Sequence, residues 1–287
     1  MHSGQKQKLE CALYVVATPI GNLRDTSLRA LDVLASADAV AAEDTRNTLH
    51  LLNHYGLAAN RLLALHQHNE RGAAERIVAL LAQGLSVALV SDAGTPAISD
   101  PGALLVEAVR AAGHRVIPVP GANAALAALS ASGLAVPHFL FYGFLPSKPS
   151  ARRRELQPLV ALPYTLVFYE APHRILECVA DLLEAFGGER QIVLARELTK
   201  LFEHIHLCSL ADASGWLNAD PNNRRGEFVL LVSGAAQPEG DGGEAGRILA
   251  ILLQELPLKQ AVQLAAKITG AGKNELYQQA LQLKENG

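Results

Sequence analysis

The segment Ser91-Asp92-Ala93-Gly94-Thr95-Pro96-Ala97-Ile98-Ser99-Asp100-Pro101-Gly102 decides how this chain folds. It follows the apolar run Ser86 to Ser91 and leads into an amphipathic stretch, Pro101 to Ala112, that stops at Gly113. The run does not alternate, so it fits a strand buried on both faces of a mainly parallel sheet. A helix started by proline and ended by glycine completes a β-α unit. In open α/β sheets the connection between the two lies beyond the carboxyl end of the strand, where ligands bind. Small residues there let the backbone approach a ligand, and the prolines stiffen the loop. An N-cap role explains Asp100 before Pro101, but one helix start does not account for both Asp92 and Asp100.

The same rhythm extends through the first 120 residues. Further strands are expected at Leu13 to Ala17, Ala39 to Ala42, Leu62 to Leu65 and Arg115 to Val119. Asp25-Thr26 is the expected cap of a helix carrying Leu28, Leu31 and Leu34, and another helix runs from Glu70 to Gln83. Two more loops, Thr18 to Asp25 and Glu43-Asp44-Thr45-Arg46, follow the first two strands and belong at the same sheet edge as Ser91 to Gly102. Glu43, Asp44, Asp92 and Asp100 together would make an acidic cleft, suited to a cationic ligand or to accepting a proton. Taken alone, Glu43-Asp44-Thr45 reads equally as a capping sequence.

After the uncharged helix expected within Val116 to Ser147 the composition changes. Strand-like runs at Phe139 to Phe144, Tyr164 to Tyr169, Gln191 to Ala195, His204 to Cys208 and Glu227 to Ser233 point to a mixed sheet, with helices near Arg152 to Val160 and His173 to Phe186. The organisation expected is one α/β domain over 12–121, a second over 122–234, a glycine-rich linker from Gly234 to Gly246, and a helical tail over 247–287. From Leu256 to Lys284 that tail carries Lys259, Lys267, Lys273 and Lys284 against Glu275, in helix-turn-helix proportions that also fit a plain helical hairpin.

Composition sets outer bounds. The 287 residues hold 25 Lys+Arg against 28 Asp+Glu, a net charge of −3, which argues against a generally basic nucleic-acid coat protein. With 49% hydrophobic and 18% charged residues, the chain has material for a large core and none of the signature of disorder. Three scattered cysteines, Cys11, Cys178 and Cys208, exclude a disulfide framework and any CxxC motif, so a reducing cytoplasm is the expected location. Val116 to Ser147 lacks all four charged residue types, yet Pro118, Pro120, Gly121, Gly133 and Pro137 interrupt it, so a buried helix is expected and no membrane span. The N-terminus, with Glu10 soon after Lys6 and Lys8, does not read as a signal peptide. No phosphate-binding GxxxxGK[ST] occurs, and the one G-x-G-x-x-[GA] match, Gly240 to Ala245, falls in the linker. Histidine pairs at His50/His54, His66/His68 and His204/His206 have spacings that share a face, but no partner ligand joins them, so no metal is expected. Lys148 with Arg152, Arg153 and Arg154 forms a basic cluster that is either a solvated helix face or a phosphate site.

Ala17-Thr18-Pro19-Ile20-Gly21-Asn22-Leu23, Glu43 to Arg46, Ser91 to Gly102, Pro120-Gly121-Ala122-Asn123-Ala124, Gly143-Phe144-Leu145-Pro146 and Arg196-Glu197-Leu198-Thr199-Lys200 occur in this order. Over roughly residues 12 to 234 the chain resembles the tetrapyrrole methylase family, in the branch that acts on small-subunit ribosomal RNA. The resemblance implies an α/β, two-domain class III methyltransferase with a small C-terminal helical domain, usually homodimeric, that binds S-adenosyl-L-methionine between its domains. It implies methyl transfer to the ribose 2′-oxygen of a cytidine in the decoding region of 16S rRNA, on the 30S subunit. Carried over by position, Pro19, Asp92, Ala93, Gly94, Thr95, Asn123 and Ala124 would contact the cofactor, with Tyr169 and Ala195 as further candidates. Asp92-Ala93-Gly94-Thr95 stands where tetrapyrrole enzymes tend to carry Gly-Gly-Asp-Pro, a departure that favours the RNA branch.

Displacement at a sulfonium needs alignment above all, and a carboxylate that accepts the hydroxyl's hydrogen bond assists it. Glu43, Asp44, Asp100 and Glu197 are the candidates, unranked by sequence. Arg46, Arg196 and Lys200 would serve phosphate or a developing alkoxide, and Lys148, Arg152 to Arg154, Lys259, Lys267 and Lys273 would position RNA phosphates. Methylation of a tetrapyrrole-type small molecule and a non-catalytic role in ribosome assembly remain as other readings.

Overall fold

A computed structural model describes residues 8–58, 60–66, 69–134, 138–235 and 243–285. They form two compact units, one up to Gly234 and one from Ala235 onward. The first unit contains two five-stranded sheets.

The first sheet is wholly parallel, in the order β3-β2-β4-β1-β5, with β1 Ala12–Val16, β2 Ala39–Ala42, β3 Leu62–Ala64, β4 Val87–Val90 and β5 Arg115–Val119. Helices α1 (Leu28–Ser36), α2 (Thr45–His54), α3 (Glu70–Ala82) and α4 (Ala103–Ala111) cover it. The absence of alternation in the strands now has its cause. Tyr14, Val16, Val40, Ala88 and Val90 face α1 and α2, while Leu13, Ala39, Ala41, Val87 and Leu89 face α3 and α4. Both faces are buried, so neither tolerates polar residues.

Two helix starts differ from expectation. Asp25 closes a short 3-10 turn, Leu23–Asp25, and Ser27 caps α1 by accepting from Ala30 N. Asp100 does not cap α4. That helix begins at Ala103, after Gly102, and two N–H groups at its start are bound by Glu70 of α3, whose Oε1 accepts from Gly102 N (2.8 Å) and Leu104 N (3.0 Å). A distant carboxylate therefore takes the capping role and leaves Asp100 unused by it.

The second sheet runs β6-β7-β10-β8-β9, with β6 Phe139–Phe144, β7 Thr165–Glu170, β8 Gln191–Arg196, β9 His204–Ser209 and β10 Phe228–Val232. It is mixed: β6 and β7 are parallel and the other pairs antiparallel. Leu166, Phe168, Ile192, Leu194 and Leu230 pack with α6 (Pro149–Leu156), α7 (Ile175–Phe186) and α8 (Leu210–Ala219). On the opposite face Val167, Val193, Ala195, Val229 and Leu231 meet Ala125 and Ala128 of α5 (Ala124–Ala131). The uncharged stretch thus contains the end of β5, an eight-residue helix and β6; the helix expected there is present, buried along one face through Ala125 and Ala128, while Leu126 on another face is 55% exposed. Residues 135–137 lie outside the described residues, as do 236–242 of the linker and His68.

The second unit is a small bundle of α9 (Gly243–Glu255), α10 (Leu258–Thr269) and α11 (Lys273–Glu285). Leu249, Ala261, Val262, Ala265, Leu276 and Ala280 form its core, and Gly270, at φ 74°, closes α10 in the left-handed conformation that glycine adopts without strain. Among the described residues, no helix is long and apolar enough to cross a membrane.

Candidate functional site

The loops after β1 and β4 meet as neighbours because their strands pair. Thr18 N donates to Gly94 O (2.8 Å) and Gly94 N to Thr18 O (3.1 Å), while Thr18 Oγ1 donates to Ser91 O. The loop after β2 is tied in by side chains. Asp92 accepts from Asp44 N (3.1 Å) and Asn47 Nδ2 (2.9 Å), and Glu43 accepts from Asp92 N. Gly143, at a bulge in β6 with φ 82°, lies so near Ser99 that a Cβ would come within 2.7 Å of its Oγ, which brings the second sheet against the same loop.

Two adjoining cavities open among these elements, of about 460 and 390 Å³, in the range of small-molecule sites. The larger holds Ala93, Gly94, Thr95, Asn123, Ala124 and Tyr169 of the expected cofactor residues, together with Asp100. Pro19 and Asp92 line the smaller one, and Ala93 borders both. Ala195 lines neither, because its side chain lies in the core between the second sheet and α5. Asn123 caps α5 by accepting from Leu126 N, and the Tyr169 hydroxyl accepts from Ala125 N (3.2 Å), so the start of that helix is anchored at the cavity wall. The sequence reading missed Ile98, Phe144 and the Glu170–His173 turn. That turn follows β7 as the other loops follow their strands, and applying the strand-end argument to the second sheet would have found it.

The four candidate carboxylates separate by their partners. Asp44 caps α2 and receives Arg46 Nε (3.1 Å) and Nη2 (2.6 Å), and these hydrogen bonds hold its pKa at about 2. Glu197 accepts from Lys200 Nζ (2.8 Å) and Glu227 N (3.0 Å); burial pushes its pKa up, but those bonds outweigh it and keep the group below its ordinary value. Glu43 is raised by burial and by the nearby Asp92 and Asp44 charges, yet it lines neither cavity. Asp100 lines the larger cavity with no ion pair among the described residues. Burial, followed by the charges of Glu43 and Asp92, lifts it to about 6 against an opposing hydrogen bond from Ser91.

The cations separate in the same way. Lys200 bridges Glu197 and Glu227, each at 2.8 Å, and lines both cavities. Arg196 is buried, its guanidinium donating to Asn222 O and Arg225 O, which corrects its expected place at phosphate. Arg152 needs the same correction. It is fully buried on Asp181 (2.5 Å) with Glu177 nearby, because α7 supplies carboxylates to this face of α6. Arg153 pairs with Glu184. Lys148 and Arg154 are exposed with no ion pair among the described residues, as are Lys259, Lys267 and Lys273 of the tail, while exposed Arg46 is held by Asp44. His50 and His54 share a face of α2 and line the smaller cavity. His204 and His206 lie 6.1 Å apart by ring centre, His206 stacked on Trp216. Among the described residues no group of three or more His, Cys, Asp or Glu could hold a metal ion.

Residues 12–214 match the family model for Tetrapyrrole (Corrin/Porphyrin) Methylases, and residues 239–284 match the RsmI C-terminal HTH domain. A relative from Pseudomonas aeruginosa, "Ribosomal RNA small subunit methyltransferase I", is 56% identical over 94% of this chain and 96% of its own length. One of the same name from Escherichia coli O157:H7 is 52% identical over 94% of each. Among solved structures, the methyltransferase CobJ superposes with a TM-score of 0.59 at 22% identity, covering 78% of this chain and 95% of that one. A Thermus thermophilus uroporphyrin-III C-methyltransferase, complexed with S-adenyl homocysteine, gives 0.53 at 18% identity, covering 77% and 96%. The chain therefore belongs to the tetrapyrrole methylase family, in its ribosomal RNA small subunit methyltransferase I branch, and is an S-adenosyl-L-methionine-dependent methyltransferase.

Proposed function

We propose that the protein methylates the ribose 2′-oxygen of a cytidine in the decoding region of 16S rRNA, on the 30S subunit, as a cytoplasmic homodimer. The names of its relatives support small-subunit ribosomal RNA as the acceptor, and the two adjoining cavities support a donor and an acceptor held side by side.

The larger cavity fits S-adenosylmethionine. Its wall combines apolar and aromatic side chains, including Ile98, Phe144 and Tyr169, with the Asp100 carboxylate and a buried Glu170 oxygen that has no hydrogen-bond partner. Bound there, the cofactor supplies an electrophilic methyl group on a sulfonium. Ala93, Gly94, Thr95, Asn123, Ala124 and Tyr169 hold it, and Asp92 acts one step away by fixing the Glu43–Asn47 loop. Asp100 accepts the proton of the attacking hydroxyl. A carboxylate with a pKa near 6 is ionised at neutral pH and still basic enough to draw a hydrogen bond from a ribose. Lys200 places positive charge at the junction of the cavities, where an alkoxide develops. Lys148, Arg154 and the tail lysines contact phosphates, whereas Arg152 and Arg196 act from inside as positioning residues.

One observation carries this reading: of the four carboxylates, Asp100 alone combines a place in the larger cavity with freedom from ion pairs among the described residues. The test is transfer from labelled S-adenosylmethionine to 30S subunits from cells lacking the protein, followed by nuclease digestion and mass spectrometry. A 2′-O-methylated cytidine is expected. Cofactor binding by calorimetry without transfer to subunits would overturn the acceptor and return the search to small molecules.

A further inference from the structure

The turn after β8 holds two large apolar side chains that the protein itself does not cover: Leu201 is 90% exposed and Phe202 67%. Their backbone is unusually constrained for an exposed turn. Glu197 and Thr199 lie in the left-handed region at φ 51° and 65°. Lys200 is clamped between two carboxylates, and Glu203 accepts from Thr199 N (2.6 Å), closing the turn on itself. A residue held so tightly is placed rather than loose, and strain of this kind collects at functional sites.

The position of the turn is equally defined. Lys200, one residue before the tip, lines both cavities. Gly21 packs against it so closely that a Cβ would lie 2.5 Å from Lys200 Cγ, so the root of the turn abuts the loop after β1 that borders the smaller cavity. The carboxylates that hold the turn, Glu197, Glu203 and Glu227, are each engaged by Lys200 or by backbone N–H.

We infer that Phe202, supported by Leu201, is a stacking platform for an unpaired nucleobase next to the nucleotide whose ribose enters the smaller cavity. Single-stranded RNA is gripped by aromatic faces beside cations, and a nucleotide presented to an enclosed site must leave its stacking neighbours. The tip supplies a replacement face at the mouth of the site. This rests on the proposed RNA acceptor; a small-molecule acceptor gives the tip no such work.

The test compares the full chain with F202A, F202Y and L201A. Exposure of both side chains means that the variants fold. With 30S subunits as acceptor, F202A is expected to raise KM about five- to tenfold, with kcat, the calorimetric affinity for S-adenosylmethionine and the sedimentation coefficient unchanged; F202Y restores KM, and L201A has a smaller effect. An unchanged KM in F202A would overturn the inference while leaving the proposed function standing, because the wild type would still methylate subunits. A shift of F202A to a smaller sedimenting species would also overturn it, reassigning the tip to contact with a second copy of the chain. A wild type inert toward subunits would remove both readings together.

Discussion

Between the loop that follows β4 and the turn that follows β8, the backbone problem is shared and the electrostatic solution is opposite. Each holds two residues other than glycine in the left-handed region: Ala97 and Ser99 at 65° and 66° in one, Glu197 and Thr199 at 51° and 65° in the other. Each such residue costs on the order of 1–2 kcal/mol, so its surroundings must impose it. In the turn after β8 the imposing contacts are ionic, Glu197 to Lys200 and Lys200 to Glu227. In the loop after β4 they are backbone bonds and close packing: the Thr18–Gly94 bridge, the Glu70 cap and the approach of Gly143 to Ser99. One carboxylate is consumed by the scaffold and sits low; the other has no ion pair among the described residues and sits at about 6. Strain marks both segments, and the state of pairing separates the carboxylate assigned to chemistry, Asp100, from the one that supports the turn, Glu197.

The largest effect that could break this contrast is at Asp100. Asp100→Asn should lower kcat about 10²- to 10⁴-fold, with cofactor affinity by calorimetry little changed; equal losses in both would make Asp100 a cofactor ligand instead. The wild-type rate should fall as pH drops through about 6. Stability carries the opposite sign. The folded pKa of Asp100 is raised above its ordinary value, so between pH 3.8 and about 6 the folded state holds the extra proton, and stability declines as pH rises through that window. Asp100→Asn therefore raises the melting temperature above pH 6, by about 1–2 kcal/mol of stability after allowance for partial solvation. Glu197 behaves conversely: its lowered pKa stabilises the fold at neutral pH, a contribution lost in acid as the group protonates.

The paired side of the comparison is broken next, through Gly226. Its φ of +84° and the 2.3 Å that would separate a Cβ from Glu197 Cγ both forbid a side chain. Gly226→Ala should cost about 1–3 kcal/mol in urea unfolding, since it strains the backbone and displaces Glu197 from Lys200. Activity per folded molecule should drop far less than in Asp100→Asn. A loss of activity as deep as that of Asp100→Asn, without loss of stability, would move Glu197 into the chemistry.

Much of the fold could be read along the chain because its strands are unalternating apolar runs, and a sheet covered on both faces leaves that trace. The loops of the cavity were legible for the same reason: each follows such a run. What escaped the sequence depended on residues far away. Nothing near Gly102 announces that a carboxylate 32 positions earlier caps α4, so Asp100 carried two readings until Glu70 removed one. Arg152-Arg153-Arg154 looks like a uniform solvated face, and only the packing of α7 buries the first residue and neutralises the second. Ala195 sits at a strand end as Tyr169 does and on the same face of the sheet, each being paired with Val229, but its methyl ends inside the core, whereas the longer Tyr169 side chain reaches the cavity wall.

The smallest effect carries the same contrast onto α6. Arg152 is a paired, buried cation and Arg154 an exposed one with no ion pair among the described residues, two positions apart. Only an exposed cation can exchange counterions with RNA; Arg153 is exposed but engaged by Glu184, so Arg154 and Lys148, with no ion pair among the described residues, are the cations around this helix whose removal tests salt dependence without breaking an ion pair. Replacing both by alanine should reduce the slope of log affinity for 30S subunits against log salt by about 0.7–0.9 for each phosphate that is no longer neutralised, with the melting temperature unchanged. Arg152→Ala would not serve as a stronger version of the same test. It leaves Asp181 buried without its main partner and lowers stability first, so any weakening of RNA binding would follow the loss of folded protein. An unchanged slope in the Lys148/Arg154 double variant would show that α6 does not face the RNA and would leave phosphate binding to the tail lysines.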